Sequence, residues 1–233
     1  MAGRPSELMY VETPLLEQLK QLGWTVVQLD DSEKHDPQKS FRESFSEVVI
    51  VSRLIAAVKR LYPWGLDVEV EDVCVEVLIY PDALRQILEN NEEVYDRITE
   101  GLSADNEESG EINCPVRLID WRDVDAYDGP NATDNDFLAI SQYKVRIPGK
   151  EEYIIPDIVL FVNGLPLVVI ECKAPDITEP MAEGIDQLMR YQNRRGAEEL
   201  EGVPELFYFN QIIMSTCFHD CRYSSITGGV SHF

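Results

Sequence analysis

The chain has 233 residues, 44% hydrophobic and 27% charged, enough to bury a substantial core as one domain or one domain with a small elaboration. Its 43 Asp and Glu against 20 Lys and Arg leave a net charge of −23, which argues against generic nucleic-acid binding, although acids can sit away from a local basic face. No apolar run approaches the roughly 20 residues that cross a bilayer, the N-terminus MAGRPSELMYVE lacks a signal-peptide core, and five irregularly spaced cysteines make no disulfide framework, so a reducing cytoplasm is the expected compartment.

Residues 12–23 carry Leu15, Leu16, Leu19 and Leu22 at helical spacing, and Gly23 is a stop signal. Residues 24–29 read as a short strand and 30–40, with His35 and Pro37, as a polar loop. A helix is predicted over 43–61, with Val48, Leu54, Ile55, Val58 and Leu61 inward and Pro63 ending it. In 67–80 valines alternate with acids, the pattern of a strand. Residues 81–102 read as a helix, the acidic 103–112 as a surface loop, 115–121 as a short strand, and 128–131 as a second polar loop. Further strands are predicted over 137–147, 157–162, 165–173 and 206–217, with a helix over 178–196 before the last. Asn163-Gly164 between two of them is a strong hairpin signal. The sum is an α/β core with a mixed central sheet, against which helix 12–23 packs. Cys217 and Cys221 flank His219, but no second ligand pair with zinc-like spacing lies nearby, so they read as ordinary thiols at a strand end.

The chemistry-bearing stretch is Pro156 to Lys173. Phosphodiester hydrolysis needs a nucleophilic water, stabilised phosphorane-like charge and help for the leaving oxygen. Divalent metals on carboxylates supply these, and a nearby lysine adds positive charge. Asp157, Glu171 and Lys173 are the candidates. Glu171 and Lys173 differ by two, so a strand points both to one face. The turn decides whether Asp157 joins them. A two-residue loop pairs Asp157 with Ile170 and turns it away; a three-residue loop, or a glycine bulge at Gly164, pairs it with Glu171. The spacing alone is weak in so acidic a chain, and the plain alternative is a surface ion pair; two apolar strands around the charges favour a site. In the following helix Gln187 and Tyr191 share a face. Arg190, Arg194 and Arg195 make its end the most basic spot of the chain. These groups suit DNA phosphates, or else only compensate a helix dipole.

At these residues the sequence resembles the restriction (R) subunit of type I restriction-modification enzymes. The phrases that carry the resemblance are DIVLFVNGLPLVVIECKAP, DQLMRYQN and LFYFNQIIMST, with VETPLLEQLKQLGW and SFSEVVIVSRLIAAVKRLYP toward the N-terminus; 63–135 is the least diagnostic stretch and reads as an elaboration of a single domain, 1–233. The resemblance implies a restriction-endonuclease-like PD-(D/E)xK core that cleaves double-stranded DNA. Asp157 and Glu171 would hold Mg²⁺, with Mn²⁺ a possible substitute, aided by the Cys172 backbone carbonyl and by Glu12 from the first helix. Lys173 would be catalytic, and Gln187 and Tyr191 match the family's auxiliary Gln–Tyr pair, with Arg190 beside them on the DNA. The family's R subunits also carry ATP-driven translocase domains. No GxxxxGK phosphate loop followed by Ser or Thr occurs here, so the chain reads as an N-terminal piece whose motor lies elsewhere and whose DNA is delivered with the modification and specificity subunits. Rival readings are a stand-alone RecB-like exonuclease or repair nuclease, and a non-catalytic docking domain.

Overall fold

The structure, a computed structural model, describes residues 7–65, 67–79, 86–106, 109–122 and 133–233. In chain order the helices are α1 (Thr13–Gln21), α2 (Val51–Leu61), α3 (Asp67–Leu78), α4 (Ile87–Glu100), α5 (Pro180–Tyr191) and α6 (Pro204–Phe209). The strands are β1 (Thr25–Val27), β2 (Leu102–Asn106), β3 (Glu111–Val116), β4 (Phe137–Ser141), β5 (Val145–Arg146), β6 (Tyr153–Ile154), β7 (Ile158–Val162), β8 (Leu165–Cys172), β9 (Ile212–Thr216) and β10 (Cys221–Ser224). The central sheet runs β1-β4-β7-β8-β9-β10. β1 lies parallel to β4 and β8 parallel to β9, while the β4–β7, β7–β8 and β9–β10 pairs are antiparallel. This is the mixed sheet the sequence predicts.

Both sheet faces are covered, which is why β7 and β8 read as nearly continuous apolar runs. Ala139, Ile158, Leu160, Ile170 and Cys172 face Val11, Leu16 and Leu19 on the α1 side. Leu138, Ile140, Val159, Phe161, Val169 and Ile213 belong to the larger core on the other side, with Leu54 and Val58 of α2, Leu188 of α5 and Leu206 of α6.

Several elements differ from the sequence expectation. Residues 67–78 form helix α3, not a strand. Its buried positions, Val70, Val73, Cys74 and Val77, fall at helical spacing while Glu71, Asp72, Val75 and Glu76 face solvent. Packing of that 3.6-residue stripe overrides the alternation of valine and acid. The loop expected at 103–112 is largely the β2–β3 hairpin, and the strand expected at 115–121 starts earlier, at Glu111. Residues 80–85, where the 81–102 helix was to begin, and the 128–131 loop lie outside the described residues. The strand expected at 137–147 breaks at Gln142, whose φ is 53°, before β5. Helix α2 starts at Val51 rather than 43. The strand expected at 206–217 opens as helix α6: Pro204 sits in its first turn, and the Asn91 side-chain amide donates to the carbonyls of Phe207, Tyr208 and Asn210 at 3.2, 2.9 and 2.9 Å, satisfying its last turn.

The β7–β8 turn settles the register. It is a two-residue turn with left-handed backbone at both Asn163 (φ 53°) and Gly164 (φ 82°), the geometry that fits strand twist. Near the turn Phe161 pairs with Pro166; farther along, Leu160 pairs with Val168, leaving Leu167 as an extra residue in β8. The bulge thus lies at Pro166–Val168, not at Gly164, and accommodates a proline inside a strand. Beyond it Ile158 pairs with Ile170, so the next step sets Asp157 against Glu171.

Candidate active site

Asp157 stands just before β7, Glu171 near the end of β8 and Lys173 one residue past it. All three are buried, at 7%, 0% and 5% exposure. The bulge therefore brings the two carboxylates together although the turn is tight. Asp157 Oδ2 accepts from the Cys172 amide N–H at 2.8 Å. Lys173 Nζ lies 3.4 Å from Glu171 Oε2 and donates to Gln187 Oε1 at 2.9 Å. Gln187 Nε2 donates to the Tyr191 hydroxyl at 2.7 Å, which donates to the Ile155 carbonyl at 3.2 Å. Gln187 and Tyr191 are thus wired to the lysine through one face of α5. Arg190 sits half-buried with its guanidinium over the Tyr191 ring, 5.1 Å from the centroid. Arg194 and Arg195 are turned to other work. Arg194 donates to the Ile226 and Gly228 carbonyls, and Arg195 is paired with Asp186 and Glu201. Cys172 presents its backbone to this cluster and its side chain to the α1-side core.

Glu12 comes from the α1 side and is only 3% exposed. It ends a π-helical turn, Leu8–Glu12, that leads into α1; such turns recur at functional sites. One oxygen each of Glu7, Glu12 and Asp157 lie within 4.8 Å of one another. Glu7 has no sequence signal, because its approach depends on the π turn. Gln142 was missed as well: its Nε2 donates to Glu12 Oε2 at 3.2 Å and to Asp157 Oδ1 at 3.3 Å. The only hint was a polar pair, Ser141-Gln142, interrupting an apolar strand. Ser215, paired with Glu171 across β8–β9, and Gly184 on α5 complete the surroundings. A Cβ at Gly184 would overlap Ser215 Oγ, so glycine lets α5 lie against the strand that borders the cluster.

The electrostatics follow from crowding acids in a dry place. Burial, then the charge of Asp157, pushes the Glu171 carboxyl well above its ordinary pKa. The same two causes raise Glu12 to about 7 and raise Glu7. Burial also raises Asp157, against the Cys172 amide and Lys173, which lower it. Burial alone would pull the Lys173 amine down; the charges of Glu171, Glu7 and Asp157 outweigh it, so the lysine stays a cation. Glu171 Oε1 has no hydrogen-bond partner among the described residues. An orphaned buried carboxylate oxygen on Glu171 beside Asp157, with Asp157 in turn grouped with Glu7 and Glu12, makes a set of hard oxygen donors that fits a divalent cation of the magnesium or manganese kind. Among the described residues, Cys217, His219 and Cys221 do not form such a group.

The family described as "Type I restriction enzyme R protein N terminus" matches residues 4–229. Over its whole length the chain is 24% identical to the "Putative type I restriction enzyme MjaIXP endonuclease subunit" of Methanocaldococcus jannaschii, covering 20% of that protein. It is 29% identical over 96% of its length to the "Type I restriction enzyme HindI endonuclease subunit" of Haemophilus influenzae, covering 19% of it. The chain spans about a fifth of the length of these relatives. No helix among the described residues is long and apolar enough to cross a membrane.

Proposed function

Because this chain belongs to the type I restriction enzyme R protein N-terminal family, we propose that it is the DNA-cleaving domain of such a subunit, a single domain hydrolysing phosphodiester bonds of double-stranded DNA with Mg²⁺ or Mn²⁺. The observation that carries the reading is the meeting of Asp157, Glu171 and Lys173 at one buried point, reached from two strands whose register the β8 bulge sets. Asp157 and Glu171 would hold the cation, with the Cys172 carbonyl and Glu12 as further oxygen donors and Glu7 close by. Such a cation withdraws charge from the scissile phosphate and promotes ionisation of the attacking water.

Lys173, kept protonated by its acidic neighbours, places a fixed positive charge where negative charge grows on the phosphoryl oxygens. Gln187 holds the lysine amine, Tyr191 holds Gln187, and Arg190 extends the chain of donors toward the DNA backbone. ATP-driven translocation and sequence reading belong to other domains and to the modification and specificity subunits.

The test is DNA cleavage by the assembled enzyme carrying Asp157→Ala or Lys173→Ala. Each should lower cutting by at least on the order of a hundredfold, the usual cost of removing one electrostatic stabiliser. Undiminished cutting by either variant refutes the assignment.

A further inference from the structure

Gln142 has no place in the chemistry outlined above, yet it touches two of its acids. Its backbone is fixed: the Gln142 N–H donates to the Asp157 carbonyl at 2.8 Å, and the next N–H, of Tyr143, donates to the Pro156 carbonyl at 3.1 Å. Its φ of 53° is a left-handed conformation that a non-glycine residue adopts at a cost, and such local strain gathers at functional sites. That conformation directs the side chain to the gap between Glu12, delivered from the α1 side, and Asp157, delivered by β7. Both atoms it meets, Glu12 Oε2 and Asp157 Oδ1, are acceptors, so the group facing them is the amide NH₂. Two donated hydrogens between two carboxylates occupy the kind of position a cation would take.

We propose that Gln142 is a positioning residue of the cation site, holding Glu12 and Asp157 at ligand spacing when no cation is bound and turning its amide oxygen toward the cation when one is. An NH₂ group beside a divalent cation is repelled, whereas rotation of the same amide offers a neutral oxygen of the kind magnesium and calcium accept. The residue would therefore serve two states of one site, and its loss would weaken binding through the spacing of the acids as well as through the lost oxygen. This rests on the cation reading of the preceding section.

The experiment is Mn²⁺ titration of the 233-residue chain, followed by electron paramagnetic resonance of free Mn²⁺, for the wild type, Asp157→Asn, Gln142→Met and Gln142→Glu. Methionine keeps the length of the side chain without its amide; glutamate restores oxygen and adds charge. Gln142→Met should bind Mn²⁺ roughly tenfold more weakly, within the range seen when a partner of a metal ligand is removed. Gln142→Glu should bind at least as tightly as the wild type. Wild-type affinity in Gln142→Met, or weakened binding in Gln142→Glu, overturns the role given to Gln142 while leaving the cation reading standing. Failure of the wild type to bind, or binding unaffected by Asp157→Asn, overturns the cation reading itself and this inference with it.

Discussion

Asp120 shows what a single carboxylate contributes outside the site. It accepts from the Arg122 guanidinium at 2.6 to 2.9 Å, from the Arg122 N–H at 3.1 Å and from the Asp134 N–H at 3.0 Å. The Arg122 guanidinium holds its carboxyl well below the usual range, outweighing burial. A depressed folded pKa stabilises the fold only where the unfolded group is ionised. The contribution is therefore full above the unfolded Asp value of about 3.9 and fades as pH falls toward the lower folded value. Asp120→Asn should cost about 1–2 kcal/mol at neutral pH, a range discounted because Arg122 is largely exposed. The gap between wild type and variant in urea unfolding should stay constant down to a pH of about 5 and narrow below about 4. A gap that widens on acidification would contradict this.

At the level of elements, two glycines set how helices meet the sheet. Gly164 combines a φ of +82° with a tight approach: an added Cβ would lie 2.5 Å from the Ile50 carbonyl oxygen and 2.8 Å from the Leu54 nitrogen, at the start of α2. Gly164→Ala should destabilise by about 3 kcal/mol or more, the sum of backbone strain and overpacking, read as a drop in the denaturation midpoint. Gly184→Ala should act differently, lifting α5 from β9 and moving Gln187 off Lys173, so that cleavage falls by more than stability does. Ser215→Ala in the same chain should restore part of the loss, because Ser215 Oγ is the nearest obstacle. Additive losses in the double variant would rule out that contact as the cause. The same elements show what the sequence made legible. The hairpin was readable because Asn-Gly demands left-handed backbone at both positions, and the facing of Glu171 and Lys173 followed from strand alternation. The bulge at Leu167 was only half legible: Pro166 inside a strand marks an edge or a bulge, but nothing in PLV says which, or which residue is the extra one. Helix α3 was misread because its valines satisfy both periods and only packing selects one. Glu7 and Gln142 stayed hidden because a π turn and a left-handed residue bring them in, and neither has a local signature.

Across the whole molecule, some of the 43 Asp and Glu are paired with the 20 Lys and Arg of the same chain. Lys150 pairs with Glu199 at 2.9 Å, and Arg195 with Asp186 and Glu201 at 2.7 Å, around the cavity that Arg190 also lines. If DNA lies along this side, its phosphates must compete with these carboxylates. Glu199→Gln with Glu201→Gln should then tighten DNA binding a few-fold at low salt, a gain that shrinks as salt rises, with little change in stability. A titration with duplex DNA at two salt concentrations measures it, and unchanged affinity at both would place the DNA elsewhere. The hairpin turn has a consequence of another kind, on the chemical ageing of the chain. Asn-Gly is the dipeptide most open to succinimide formation, by attack of the glycine nitrogen on the asparagine side chain. Here the Asn163 side chain is fully buried; its Nδ2 donates to Leu118 O and Asn135 Oδ1, and its Oδ1 accepts from the Asp136 N–H. Cyclisation must wait for these bonds to open, so deamidation at Asn163, followed by peptide mass analysis, becomes a clock that runs only while this part of the molecule is unfolded.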